Sequence, residues 1–262
     1  MIVNADDFGL DAGVSNAILE LARAEGISSA TIMANLASRD DLRDISKTEG
    51  ISMGLHFNIL EGKPLAPPES VFSLLDRDGS FLSINALLTR YMLKKVHLDH
   101  IEKELRVQVE MLKDYGISIS HADSHKHIHQ FPFIGKFIQE MFLRKGIRKV
   151  RNCYVTDSSD ARNKLYRGVW EFARLENSYL RSPETLITSF WGITDNYEEE
   201  FKRSLHKAFR SHSDVEFMTH PALKNDKGSK LNRRGEYEFW KSMKWKEYLD
   251  ERGIELIDYR DL

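Results

Sequence analysis

Apolar residues follow two alternating patterns along this chain. Short runs of β-branched, aliphatic and aromatic residues predict buried strands, and longer segments with apolar residues every three or four positions predict amphipathic helices. The predicted strands are residues 2–5, 29–34, 52–58, 117–122, 149–155, 185–191, 215–219 and 255–259. This βα alternation with about eight strands predicts an α/β fold, a TIM-barrel-like (β/α) barrel with mostly parallel strands.

Two predicted helices have clear ends. The first begins after Asp11, whose side chain can cap the first turn, and Gly26 is expected to end it. The second covers residues 97–115 and stops at Gly116. The other predicted helices are residues 132–145, 160–175, 198–211 and 237–252.

Residues 59–95 interrupt this rhythm with turn-forming Gly, Pro and Asp residues, so we interpret them as an elaborated βα loop. Such a loop either shapes a substrate cleft or is a surface excursion with a small helix of its own. Because no repeat or linker is evident, the sequence predicts a single domain over residues 1–262.

Composition narrows the classes of partner. The formal net charge of the 262 residues is −2 and both signs are interspersed, which argues against nucleic acid or an acidic membrane surface as the main partner. The chain starts without a signal-peptide pattern and has no apolar run long enough to cross a membrane, so we expect a cytoplasmic protein. Cys153 is the only cysteine, and we expect a small strand residue there, not a nucleophile.

Two adjacent carboxylates, Asp6 and Asp7, stand where the first strand should give way to its helix. (β/α) barrels place catalytic groups at such strand ends. The alternative is that one aspartate caps the helix and the other is solvated, but Asp11 already offers the cap.

Histidines form the second chemical feature. His56 lies near the end of a predicted strand, where a single histidine is more often a hydrogen-bonded core residue than a ligand unless a partner lies elsewhere in the chain. Residues 121–129 hold four more histidines, and a period of two predicts that one strand face carries His121, Asp123, His125 and His127. One carboxylate with two imidazoles is an open three-ligand set for a hydrolytic metal, and a second carboxylate can act as a general base.

Two further residues have competing interpretations. His220 follows a predicted strand and is either a general acid or a strand-end histidine whose direction Pro221 fixes. Arg151 either binds substrate, pairs with a catalytic carboxylate or is an ordinary surface arginine.

Four ordered motifs resemble those of the YdjC-like carbohydrate deacetylases, which include chitooligosaccharide deacetylases and are related to the polysaccharide deacetylases. The motifs are Asn-Ala-Asp-Asp-Phe-Gly at 4–9, Gly-Leu-His-Phe-Asn at 54–58, Asp-Ser-His-Lys-His-Ile-His at 123–129 and Met-Thr-His-Pro at 218–221. The resemblance spans the chain and implies a distorted (β/α) barrel that removes N-acetyl groups from amino sugars or short chitooligosaccharides.

The resemblance also implies roles for individual residues. Asp7, His56 and His125 would hold one divalent ion, Mg²⁺ or Zn²⁺, with Asp6 as the base and His220 as the acid that protonates the amine. The residues implied to orient Asp6, support the ligands or line the sugar site are Arg151, Asp123 and His127. A small carbohydrate is then the expected partner, and the family suggests a homodimer. The alternatives are another metallohydrolase on the same barrel, such as a phosphoesterase, and a non-catalytic sugar-binding protein.

Overall fold

The computed structural model describes residues 1–155, 179–188, 190, 195–225 and 231–262. Six parallel strands form one curled sheet in the order β4-β3-β2-β1-β6-β5. The strands are β1 (Ile2–Phe8), β2 (Ser29–Ile32), β3 (Ser52–Phe57), β4 (Ile119–Ser124), β5 (Thr185–Ile187) and β6 (Val215–Thr219). All six coincide with predicted strands, and the α/β barrel class is confirmed.

The segment 149–155 lies between the two edges of this sheet. Val150 forms a parallel bridge with Ala122 of β4, and Val155 forms one with Leu186 of β5. The prediction of a regular strand here was wrong, because the segment pairs with a different neighbour at each end and makes only isolated bridges. It nevertheless connects the edge strands, so the distorted barrel curls around a common interior.

The prediction of a strand over residues 255–259 was also wrong. The Met1 ammonium donates to the Glu255 carbonyl, and the Ile257 N–H donates to the Met1 carbonyl, but no strand forms there. Tyr259 turns inward instead and is fully buried. The predicted strand 185–191 is shorter than expected, since β5 ends at Ile187 and residues 189 and 191 lie outside the described part.

Helices cover the outside of the sheet, and four of the eight in the described residues start within two residues of a predicted helix start. They are α1 (Ala12–Arg23), α2 (Arg39–Ser46), α3 (Ile84–Met92), α4 (Leu98–Asp114), α5 (Ile134–Arg144), α6 (Tyr197–Ala208), α7 (Arg233–Lys241) and α8 (Lys244–Arg252). The helix predicted over 160–175 lies outside the described residues.

Two helix boundaries differ from the prediction. The single helix predicted over 237–252 is two helices, α7 and α8, because Met243 adopts a left-handed backbone conformation (φ 60°) that stops α7. Glu25, with φ 55°, ends α1 in place of Gly26. The Gly26 N–H still closes the end of α1 on the Leu21 carbonyl, at 2.7 Å.

Residues 59–95 form an extended excursion after β3, with two 3-10 turns (Pro68–Ser70 and Phe72–Leu74) followed by α3. This agrees with the elaborated loop that the sequence predicts. None of the helices in the described ranges is long and apolar enough to cross a membrane.

Candidate active site

A β-bulge at the end of β1 places the two adjacent aspartates. Between Ala5 and Phe8 the β1–β2 register slips by one residue, and Asp7 has a left-handed backbone (φ 68°). Consecutive strand residues normally point to opposite faces, so a regular strand would separate the carboxylates. The bulge lets both reach the same interior, and Asp tolerates this conformation better than most residues.

Asp7 lies between the two histidines that the sequence motifs single out. Its Oδ1 is 3.3 Å from Nε2 of His56, at the end of β3, and 3.3 Å from Nδ1 of His125, which follows β4. Its Oδ2 accepts a hydrogen bond from Nη2 of Arg233 at 2.7 Å. Oδ1 therefore faces the two imidazoles, while Arg233 holds the other oxygen.

The three ligand atoms fit one divalent ion. Oδ1 of Asp7, Nε2 of His56 and Nδ1 of His125 all lie within 4.8 Å of one another. Ligands at about 2.1 Å from a common ion lie roughly 3 to 3.5 Å apart, which matches the separations of Asp7 from each histidine. The His125 side chain retains 15% of its exposure, whereas His56 retains 3%. The His125 side of the group is therefore the one open to a ligand.

Charge in this group favours a cation. Burial would raise the pKa of Asp7, but hydrogen bonds from His125 and His56 and the charge of Arg233 hold it well below its usual value. Burial lowers the pKa of His56, yet the Asp123 and Asp7 carboxylates outweigh this and raise it to about 10. A positive charge is thus stabilised beside Asp7 although the site is buried.

Behind His56 a carboxylate fixes the ring. Nδ1 of His56 is 2.7 Å from Oδ1 of Asp123 and 3.2 Å from the Thr31 hydroxyl, which leaves Nε2 directed at Asp7. A carboxylate on the far nitrogen is the usual support of a metal-binding histidine. Asp123 therefore lies where the motif places a supporting group.

Asp6 is held by the guanidinium of Arg151. Nη1 and Nη2 of Arg151 donate to the two carboxylate oxygens of Asp6, each at 2.6 Å, and Asn4 Nδ2 donates to Oδ1 at 2.8 Å. This paired geometry fixes the plane of the Asp6 carboxylate.

Arg151 also serves two other carboxylates. Its Nη1 lies 2.6 Å from Oδ2 of Asp123, and its Nη2 lies 2.8 Å from Oε1 of Glu216. The Tyr259 hydroxyl donates to the other Glu216 oxygen at 2.6 Å. Although burial lowers the pKa of Arg151, these carboxylates raise it well above its usual value, so Arg151 is a buried charged centre and not a surface arginine.

His220 follows β6 and approaches Asp6 from the other side. Its Nε2 is 3.8 Å from Oδ2 of Asp6, and its side chain is 11% exposed. Burial lowers the pKa of His220 to about 4, although Asp6 and Asp7 oppose the shift. The ring is therefore uncharged at neutral pH.

The histidine-rich segment does not form the single strand face that the period of two predicts. β4 ends at Ser124, and His125–Gln130 is a 3-10 turn in which Lys126 and His127 have left-handed backbones. His125 therefore turns towards Asp7, away from the position that a continued strand would give it. His127 lies within this turn, and its role stays a prediction.

Two other histidines of the segment are structural. His121 stacks on Tyr259 at 3.6 Å between ring centroids, and burial lowers its pKa to about 3. A Cβ on Gly54 would lie 2.5 Å from the His121 ring, which explains the glycine of the Gly-Leu-His motif. His129 lies 2.6 Å from the Ser124 hydroxyl and 3.1 Å from the Arg151 carbonyl, so it anchors the turn.

Sequence reasoning missed two charged residues of α7. Arg233 contacts Asp7, and Glu236 accepts hydrogen bonds from Thr219 and from the His220 backbone. Arg233 and Glu236 are about one helical turn apart and share a helix face with the buried Trp240. This spacing is the one sequence signal that could have placed the two charges inside. Charged residues in the first turn of a helix are usually exposed to solvent, so the pattern gave no reason to place Arg233 and Glu236 in the barrel interior.

Other groups of potential ligands in the described residues fit an ion less well. Asp6, His56 and Asp123 also converge, but Arg151 already occupies both carboxylates. Away from this centre, the exposed His97 and the buried His100 lie near Asp99, but their rings stack with an interplanar angle of 14°. Parallel stacked rings do not aim their nitrogens at a common point.

The fold and this site together define an α/β barrel with a candidate metal-binding hydrolase centre at the carboxyl ends of its strands. Residues 1–251 match the family model described as YdjC-like protein. The chain therefore belongs to the YdjC-like family, and the resemblance of its four motifs is confirmed.

Curated relatives agree with this assignment, and a solved structure shares the fold. A carbohydrate deacetylase of Listeria monocytogenes serotype 4b is 27% identical over 268 residues, which cover 100% of this chain and 99% of the relative. A carbohydrate deacetylase of Geobacillus stearothermophilus is 34% identical over 153 residues, 57% of this chain and 59% of that protein. The crystal structure described as a cellobiose-phosphate cleavage protein from Enterococcus faecalis shares the fold, with a TM-score of 0.78, 24% identity and coverage of 99% of this chain and 97% of that one.

Proposed function

We propose that this protein is a metal-dependent hydrolase that removes the N-acetyl group from an N-acetylated amino sugar or short chitooligosaccharide and releases acetate. The observation that carries the proposal is the convergence of Asp7, His56 and His125, with Asp6 and His220 beside them. Relatives named carbohydrate deacetylase over the full length of the chain support the choice of reaction.

Asp7, His56 and His125 would hold one divalent ion, Mg²⁺ or Zn²⁺. Two nitrogens and one oxygen suit zinc, whereas the resemblance to the YdjC-like family favours magnesium. When bound, the ion polarises the acetamido carbonyl and lowers the pKa of water.

Asp6 is proposed as the base. Arg151 fixes its carboxylate with two hydrogen bonds, and Oδ2 also faces His220. Asp6 accepts a proton from the water that attacks the carbonyl carbon. The paired hydrogen bonds keep the carboxylate oriented as that proton arrives.

His220 is proposed as the acid for the departing nitrogen. Because the pKa of His220 is lowered to about 4, the neutral ring has to receive the proton that it later delivers. We assign that proton to Asp6, whose Oδ2 lies 3.8 Å from Nε2, and the two atoms have to approach to hydrogen-bond distance for the transfer. The C–N bond then breaks as the nitrogen takes the proton, so that water and the acetamide become acetate and a free amine.

A test of these roles combines metal analysis with an acetate assay on N-acetylated mono-, di- and trisaccharides. The wild type should hold about one divalent ion per chain and release acetate, and Asp7→Ala or His125→Ala should lose the ion. Asp6→Asn should keep the ion and bind substrate, but lose acetate release by roughly 100-fold or more.

Each outcome separates one claim from the others. Full metal content in both Asp7→Ala and His125→Ala would overturn the ligand set. Undiminished acetate release by Asp6→Asn would remove Asp6 as the base. Hydrolysis of a generic phosphoester without acetate release would replace the deacetylase by a phosphoesterase on the same barrel.

A further inference from the structure

Glu236, on the first turn of α7, contacts the strand end that carries His220. Its Oε2 accepts one hydrogen bond from the Thr219 hydroxyl at 2.6 Å and another from the His220 backbone N–H at 2.7 Å. Nε1 of Trp240, one turn further along α7, donates to the Thr219 hydroxyl oxygen at 2.8 Å. Glu236 therefore ends a chain of directed hydrogen bonds that ties α7 to the end of β6.

Burying a carboxyl group at this position is energetically unfavourable. Glu236 is 1% exposed, and within the described ranges its Oε1 has no hydrogen-bond partner. Burial raises the pKa of Glu236 to about 7, against hydrogen bonds from Thr219 and His220. Beside an apolar side chain the buried Thr219 hydroxyl and His220 N–H would lose this acceptor, so the two hydrogen bonds that Oε2 accepts account for a carboxyl group here.

The backbone of His220 is fixed on both sides. Glu236 holds its N–H, and Pro221 confines the preceding residue to extended conformations. Two residues on, the Ala222 N–H donates to the Arg233 carbonyl at 3.1 Å, which ties the exit of β6 to α7 again. With the backbone fixed, the ring nitrogen is placed 3.8 Å from Asp6.

We infer that Glu236 is a positioning residue, which holds the His220 ring at Asp6 by accepting the His220 N–H and the Thr219 hydroxyl. The inference rests on the proposed function, in which His220 moves the proton. Glu236 itself does not touch the reacting atoms in this arrangement.

The kinetic test compares two substitutions at Glu236. Glu236→Leu removes both accepted hydrogen bonds, and a misplaced catalytic ring costs on the order of 100-fold in kcat. Its KM and its metal content should stay near the wild-type values, because Asp7, His56 and His125 are untouched. Glu236→Gln keeps a carbonyl oxygen for both donors and should restore kcat to within a few-fold of the wild type.

A neighbour on α7 supplies the control. Tyr237 donates its hydroxyl to Glu20 of α1, away from Asp6 and His220. Tyr237→Phe loosens the attachment of α7 without touching the His220 N–H, so its kcat should equal that of the wild type. A drop in Tyr237→Phe as large as that in Glu236→Leu would overturn the inference, since any loosening of α7 would then suffice.

Hydrogen exchange of the His220 amide tests the placement without any activity. This amide should exchange faster in Glu236→Leu than in the wild type or Glu236→Gln. If the wild type releases no acetate but the exchange difference is present, the proposed function fails and the placement stands. If exchange is unchanged, or if Glu236→Leu retains wild-type kcat in an active enzyme, the positioning role is wrong.

Discussion

The left-handed backbone at Asp7 determines what its neighbour can do. The bulge turns both carboxylates inward. Asp7 faces His56 and His125, and Asp6 faces Arg151 and His220. Neighbours on a regular strand would instead face opposite sides. A single irregular residue thus lets one strand end supply both a candidate metal ligand and a candidate base.

Because the pKa of Glu236 is raised, we expect the difference in stability between the wild type and Glu236→Gln to depend on pH. Its pKa in the folded protein is raised from 4.5 to about 7, so the stability that its protonated form contributes is complete below pH 4.5 and is lost as pH rises through 7. Glu236→Gln stays neutral throughout. Relative to the wild type, the free energy of unfolding of Glu236→Gln should therefore rise by up to about 3 kcal/mol between pH 5 and pH 8.

Urea unfolding of both proteins at the two pH values measures this gain. Taking the difference cancels every titrating group that the two proteins share. A difference that stays constant with pH would mean that Glu236 titrates alike in the folded and unfolded chains.

Some site residues could be read from the sequence and others could not, for a physical reason. Asp7, His56 and His125 stand in motifs at strand ends, where parallel strands bring side chains together. The contacts of Arg233 and Glu236 depend instead on the rotation of α7 about its axis. No local pattern encodes that rotation.

At the scale of elements, strand and helix positions followed from periodicity, whereas their interruptions did not. The apolar stripe Ile101, Leu105, Val109 and Leu112 predicts α4, and short runs rich in apolar residues predict the strands, although β4 also buries His121, Asp123 and Ser124. The division between α7 and α8 depends on the backbone at Met243, a residue type that does not usually signal a left-handed turn. The segment 149–155 has the pattern of a strand because Val150, Tyr154 and Val155 are residue types that favour strands, although its two ends pair with different strands.

The cap of α1 provides a prediction about one element. Oδ1 of Asp11 accepts the N–H groups of Gly13 at 2.6 Å and Val14 at 3.0 Å. Asp11→Ala should lower the free energy of unfolding by about 1 kcal/mol, whereas Asp11→Asn should keep most of it. Metal content and kcat should not change, because the cap hydrogen bonds join Asp11 to Gly13 and Val14 and not to Asp6 or Asp7.

Thermal or urea unfolding together with metal analysis of the folded protein checks this separation. Loss of the ion in Asp11→Ala would contradict it, since the cap would then be needed to shape the end of β1. Unchanged stability in Asp11→Ala would show instead that another group caps α1.

For the whole molecule, Arg151 is the point at which distant parts of the chain meet. It lies on the segment between the sheet edges and contacts Asp6 of β1, Asp123 of β4 and Glu216 of β6. Tyr259, near the end of the chain, reaches the same Glu216. Arg151, which orients the candidate base, thus also links strands on different sides of the barrel.

Replacing this buried arginine should destabilise the entire fold. Arg151→Met keeps much of the side-chain volume but leaves three buried carboxylates without their cation, and breaking such a network costs about 3 to 5 kcal/mol. The matched control is Arg106→Met, which removes an exposed ion pair with Glu110 within α4 and should cost at most about 1 kcal/mol. Urea unfolding at neutral pH compares the two, and equal losses would contradict a central role for Arg151. Because its contacts span three strands, the loss in Arg151→Met should appear as one cooperative transition at lower urea, without a separate early step.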